Sequence, residues 1–205
     1  WLNQVTFDNG DIPRVNDSTF NIAPTSQELF NYAYNIGVTT KKIVLSDSGY
    51  RKFKNNKFEL FVDVGNVGPY YQPGHAHSDT LSFILHVNNK PIFVDTGVST
   101  YQKNKKRQTE RQTSAHNTVV INNEDQTQVW GGFRVAKRAQ VKNLKQGFDF
   151  VEAEHDGYKK LGVSHLRKFS IDKSLVKIKD TIVNDSNYNQ TAYFHLHPSL
   201  KNLII

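Results

Sequence analysis

The sequence predicts an all-β protein: a large antiparallel β-sandwich, or supersandwich, with a short helical segment at its N-terminus. From Lys42 onward apolar and polar residues alternate with period two in many short runs, among them KFELFVDVG, TLSFILHVNNKPIFVDTG, FDFVEAEHDG, SLVKIKDTIVN and TAYFHLHP, as strands half buried against a core require. Turn-forming pairs punctuate them: Asn88-Asn89 and Asn122-Asn123 each suggest a hairpin. A meander of this kind must close or stack two sheets to bury one face of every strand, and 205 residues is an ordinary length for one such unit.

Taken in order, residues 1–38 read differently from the rest. Pro13, Asn16 and Asp17 are loop chemistry, and Thr25 or Ser26 can cap a helix whose first turn holds Glu28. Leu29, Phe30, Ala33, Tyr34 and Ile36 give that helix an apolar face before Gly37 stops it. One helix cannot bury such a face alone, so it is expected to pack on the sheet or on helices outside this sequence. Residues 39–205 form the β domain, with runs at KIVLSDSGYRKFK, HNTVVINNED and LRKFSID beside those above. The final SLKNLII reads as an apolar strand that continues, and truncation there is the expectation.

Composition narrows the partners. Cysteine is absent, so any metal must be held by His, Asp or Glu. No run approaches the ~20 apolar residues of a membrane span, and membrane insertion is not expected. A formal net charge of +7 favours an anionic partner. The densest basic run, Lys103 to Arg111, reads as a solvated loop; its cations do not alternate with aromatics, which speaks against nucleic acid.

Three local pieces carry chemistry. QPGHAHSD (72–79) sets a turn before His75 and His77, which would share a face in an extended segment. PIFVDTG delivers Asp95 directly after an apolar run, and a carboxylate there needs a partner. SAHNTVVIN starts a strand with His116. Two or three imidazoles and a carboxylate from adjacent strands are a donor set that tetrahedral zinc accepts without thiolates; the alternative is that each serves a local turn. A cupin, the nearest rival by spacing, needs a Glu shortly after the second histidine, where this chain has Thr80, Leu81 and Ser82.

In combination, GHAHSDTLSF, FVDTG, AHNTVVI and VWGGFRVAKRAQV (129–141) resemble the heparinase II/III-like family of polysaccharide lyases. The opening DIPRVNDS and its helix are similar to that family's passage out of a helical domain, so the resemblance covers nearly the whole chain. It implies an enzyme of two parts, an N-terminal incomplete (α/α) toroid and a C-terminal β-sandwich with the glycan between them. Residues 1–38 would then be the toroid's end and a linker, and 39–205 the metal-binding sandwich. The resemblance makes His75 the catalytic histidine facing the cleft, and His77, Asp95 and His116 the ligands of a structural Zn²⁺.

The implied reaction is β-elimination at a uronic acid, with the principal Tyr acid/base and the Asn or His that neutralises the carboxylate supplied by the toroid. The isolated fragment is therefore expected to be inactive. Around His75, Tyr101, Arg107, Arg111, Trp130 and Arg134 are candidates for substrate binding. Each has a plainer alternative: a packed tyrosine, loop arginines in solvent, a tryptophan plugging a sheet edge. His195 and His197 read as half-buried structural histidines. The resemblance further implies an acidic, uronate-containing partner, a glycosaminoglycan or alginate, and a periplasmic or secreted location. The competing readings are a non-catalytic acidic-glycan-binding module and a surface-polysaccharide assembly protein.

Overall fold

The computed structural model describes residues 1–184 and 187–203. Its core lies between two antiparallel four-stranded sheets. The first consists of β1 (Tyr50–Lys54), β2 (Phe58–Asp63), β3 (Phe83–Val87) and β4 (Lys90–Phe93), in that spatial order. Skipping three short strands, β5 (Val119–Ile121), β6 (Gln128–Trp130) and β7 (Arg134–Ala136), the second runs through β8 (Val141–Gln146), β9 (Phe150–His155), β10 (Ser164–Ile171) and β11 (Val176–Val183). β5 pairs with β12 (Gln190–Ala192), and β6 with β7. The all-β sandwich expected from the alternation is what forms.

Period two explains the core. Phe58, Leu60 and Val62 of β2 and Phe83 and Leu85 of β3 face Val151 and Ala153 of β9 and Phe169 and Ile171 of β10 across the sandwich. The intervening Phe61 and Ile84 point to the opposite face, where Val5, Phe7 and Leu45 cover them. The first sheet is thus buried on both sides, and its cover comes from the N-terminal segment, including helix α1 (Leu2–Val5). β11 keeps its outer edge wet with alternating exposed Lys177 and Lys179, a common protection for an edge strand.

Several expectations meet the structure differently. Of the two caps read from sequence, Thr25 is the one that caps helix α2 (Ser26–Asn35), in a full capping box with Glu28. Its apolar face stays largely open, however: Leu29, Tyr34 and Ile36 are exposed, and Phe30 and Ala33 are half-buried. Asn88-Asn89 turns β3 into β4, both residues left-handed. Asn122-Asn123 also turns, but only an Ile121–Glu124 bridge follows, because β5 spends its edge on β12. Of KIVLSDSGYRKFK only Tyr50–Lys54 is strand. The end is a 3-10 turn over Pro198–Leu203, not a strand, and Ile204 and Ile205 lie outside the described residues. Among the described residues no helix is long and apolar enough to cross a membrane.

The largest departure is the basic run. Instead of a solvated loop it forms helix α3 (Lys105–Arg111), capped by the Asn104 side chain accepting from the Arg107 N–H, and it buries Arg107, Glu110 and Arg111.

Candidate active site and metal centre

The loop from β2 to β3 carries His75 and His77. The Ala76 amide donates to the Pro73 carbonyl to make the turn, and the His77 amide donates to the Asn16 side chain at 3.1 Å. Asp95 follows β4, whose end is held by the Val94 amide on the His195 carbonyl. His116 follows a short 3-10 turn (Thr113–Ala115). Asn117 fastens these pieces: its side chain donates to the carbonyls of Phe83 and Val94 and accepts from the His195 amide. His195 is accordingly structural, with its ring Nε2 3.0 Å from the Ser114 carbonyl.

Of the four residues singled out by sequence, His77, His116 and Asp95 lie next to one another in the interior. His77, His116 and Asp95 are buried, the imidazoles of His77 and His116 have centroids 5.3 Å apart, and His116 Nδ1 lies 2.7 Å from Asp95 Oδ2. Asp95 Oδ1 accepts the Gly97 amide at 3.0 Å. Burial opposes charge on both partners of the His116–Asp95 pair, yet their mutual attraction wins: His116 is raised above the ordinary histidine range and Asp95 lowered below the carboxylate range. Burial lowers His77, against a hydrogen bond to Asp17. It also raises Asp79, whose Oδ2 is buried without a partner.

His75 is different. Its side chain is 60% exposed, and its Nδ1 contacts Asp17 Oδ2 at 2.8 Å. Its ring meets Phe133 edge-on at 5.5 Å and Tyr101 at 5.9 Å. An open depression of about 550 Å³ brings His75 together with Gly74, Trp130, Phe133 and Arg134. Trp130, Arg134 and half-exposed Tyr101 therefore flank the exposed histidine.

Arg107 and Arg111 lie elsewhere than their expected place on a sugar-facing loop. Both are about 1% exposed. Arg107 grips Asp17 with both terminal nitrogens and donates Nε to the Gly132 carbonyl at 3.0 Å, with Tyr101 and Phe133 over its guanidinium plane. Arg111 donates to the carbonyls of Ala76 and Gly132, and burial together with Arg107 lowers it to about 10. These forks hold the walls of the site and have no face left for a uronate.

Sequence reasoning missed Asp17 because its link to the site is entirely tertiary: it reaches His77 Nε2 at 2.9 Å from 60 positions away. Burial would raise its carboxyl, but the bonds from His77, Arg107 and His75 hold it well below the usual range. Phe133 was missed too; only its place between Gly132 and Arg134 in VWGGFRV marked the neighbourhood.

Zinc, the ion implied by the motif, can be tested against this geometry. His77 Nδ1 and His116 Nε2 are buried without hydrogen-bond partners, a costly state that a cation would relieve. The 2.7 Å contact with Asp95 is made by His116 Nδ1, so an ion on the bare Nε2 would have Asp95 behind the ring, and all three side chains could share one ion only after the His116 ring turns. Among the described residues no three such side chains are closed on a common point as they stand. The donors fit zinc in type and burial.

The class the fold defines is an antiparallel β-sandwich with an exposed histidine beside a buried group of two histidines and an aspartate. The chain belongs to the heparinase II/III-like family: its C-terminal domain model matches residues 38–203. No curated protein sequence matches. Among solved structures, a mutant of the heparan sulfate lyase HepC from Pedobacter heparinus aligns with TM-score 0.69 and 17% identity over 95% of this chain and 33% of its own. A heparinase III, the BT4657 gene product, aligns with TM-score 0.63 and 19% identity over 87% of this chain and 30% of its own. The chain thus spans about a third of the length of these lyases, and at such identities the likeness is one of fold.

Proposed function

We propose that the chain is the β-sandwich part of a polysaccharide lyase that cleaves a uronate-containing acidic glycan by β-elimination, with the remaining catalytic groups on an N-terminal helical toroid of the same protein. The observation that carries this reading is His75: a solvent-open imidazole, anchored through one nitrogen on Asp17 and set among Tyr101, Trp130, Phe133 and Arg134, in a chain of this family. The similar structures are those of a heparan sulfate lyase and a heparinase III, so a glycosaminoglycan is the first substrate to try. The family's reach makes alginate the second.

The proton at C5 of a uronate lies α to a carboxylate and is weakly acidic, so the carboxylate must be neutralised before a base can act. That array belongs to the toroid. In this chain His75, with Nε2 unpartnered among the described residues, is placed to take up or position a proton within hydrogen-bond reach, while Tyr101, Trp130 and Phe133 offer faces on which a sugar ring can stack. His77, Asp95 and His116 would hold zinc as a clamp on the loop bearing His75. The proposed setting is periplasmic or secreted, where such glycans are met.

The test is turnover of heparan sulfate, heparin and alginate by the full-length protein, read as unsaturated-uronate absorbance. The expected results are activity for the full-length protein, none for the isolated 205-residue chain, and a loss of about 10²- to 10⁴-fold in kcat for His75→Ala. Binding of acidic glycan with no product from the full-length protein would favour a glycan-binding or assembly role instead. Wild-type turnover by His75→Ala would remove the histidine from the chemistry.

A further inference from the structure

The structure assigns Asp17 a positioning role that no motif announces: one buried carboxylate fixes the two histidines of the His-x-His pair in opposite tautomers, so that His75 offers Nε2 to the glycan and His77 offers Nδ1 to the metal. This deepens the lyase reading and, for its catalytic half, rests on it.

The argument is one of donors and acceptors. An ionised carboxylate only accepts, at about four lone-pair sites. Around Asp17 all four are taken: Oδ1 by His77 Nε2 at 2.9 Å and one Arg107 nitrogen, Oδ2 by His75 Nδ1 at 2.8 Å and the other Arg107 nitrogen at 2.7 Å. Each imidazole must therefore bring a hydrogen to the carboxylate. His75 carries its proton on Nδ1, and the lone pair is left on Nε2, on a ring that is 60% exposed. For His77 the proton is on Nε2, and the lone pair is left on Nδ1, which is buried and has no partner. A carboxylate behind a metal-binding histidine orients the ring and raises its basicity; here the same carboxylate does this for a metal-side and a glycan-side ring at once. Arg107, clamped by the Gly132 carbonyl, prevents the carboxylate from rotating toward either one.

The loop bearing Asp17 is itself held in place by a required glycine. Gly97, in FVDTG, has φ +57°, and a Cβ there would lie 2.4 Å from the Ser18 carbonyl oxygen, which accepts the Val98 amide at 3.1 Å. The segment after β4 that carries Asp95 and the loop carrying Asp17 are thereby locked side by side.

The test uses the full-length protein with ¹⁵N-labelled histidine. In the wild type, imidazole nitrogen shifts should report His75 as the Nδ1–H form and His77 as the Nε2–H form. Asp17→Asn leaves one acceptor oxygen and introduces an N–H₂ group, so it cannot serve both rings. At least one tautomer should switch, with kcat falling about 10- to 100-fold while KM stays within about twofold, and with metal content reduced. The opposite tautomer on either ring of the wild type would overturn the assignment, and that measurement needs no variant to fold. An Asp17→Asn protein that keeps both tautomers and wild-type kcat would overturn it as well. Failure of the underlying reading looks different: His75→Ala would turn over glycan normally while the wild-type tautomers remained as assigned.

Discussion

Two buried histidine–carboxylate clusters lie among the described residues, and they end differently. Between β9, β10 and β11, the Gly157 amide donates to His155 Nδ1, His155 Nε2 lies 3.2 Å from His165 Nδ1, and His165 Nε2 lies 2.7 Å from Asp180, which also takes two bonds from Arg167. Every ring nitrogen has a partner. Around His77 and His116 the carboxylates are equally close, yet His77 Nδ1, His116 Nε2 and Asp79 Oδ2 are left buried and bare. Burying a polar atom without a partner costs about 1–3 kcal/mol; the first cluster carries none of that cost and acts as a fastener, whereas the second carries it at three atoms, the feature on which its proposed metal role rests. Arg167 shows the second role directly, since it donates to the carbonyls of Leu81 and Asn117 and ties β10 to the loops of the candidate site.

The sharpest way to break the comparison is to remove one histidine from each cluster and measure metal. His77→Ala in the full-length protein should lose zinc by elemental analysis, and added zinc should no longer raise its thermal stability. For the wild type a hundredfold excess over Kd corresponds to about 2.7 kcal/mol. His155→Ala should lower stability but keep both the metal and the response to it. Equal zinc in all three proteins would remove the distinction between the clusters, and with it the assignment of His77, Asp95 and His116.

The saturated cluster is held in the regular register of β9, β10 and β11, whereas the other relies on loops brought together by Gly97. Gly97→Ala should therefore damage the two unequally. A left-handed non-glycine residue costs about 1–2 kcal/mol, and the contact with the Ser18 carbonyl forces the Asp17 loop away. The expected outcome is a lower melting temperature together with a drop in kcat, because His75 loses its anchor. A variant that melts earlier but turns over normally would show that the Asp17 loop does not need this approach.

What was legible in the sequence follows the same division. Alternation gave β2, β3, β9, β10 and β11 because those strands bury one or both faces in continuous sheets. It failed at Lys42 to Leu45, where Leu45 is buried but Val44 is exposed and the backbone forms no strand. The helix α3 was invisible to a hydrophobic pattern because the residues it buries are Arg107, Glu110 and Arg111, whose partners are backbone carbonyls and Asp17, not a greasy face. The histidines and Asp95 stood out through local motifs. Asp17 could not, since a single Asp in a loop has no periodicity and its partners lie 58, 60 and 90 positions away.

The smallest expected effect concerns acid. Burial, followed by the proximity of His165 and Arg167, pushes His155 well below the ordinary histidine value, and burial lowers His165 despite Asp180. Both rings are neutral in the folded protein and titrate near 6.5 when it unfolds, so the unfolded chain binds more protons as pH falls. A group with a depressed folded value contributes stability that is present above the unfolded value and lost below it, with a slope of at most about 1.4 kcal/mol per pH unit for each proton. Melting measured with a chelator, so that metal release adds nothing, should be level above about pH 7 and decline below about 6.5. Replacing His155 with leucine removes one of the two protons and should flatten that decline. If it does not, the acid sensitivity belongs to other groups, and the relay through β9 and β10 is not the fastener its geometry describes.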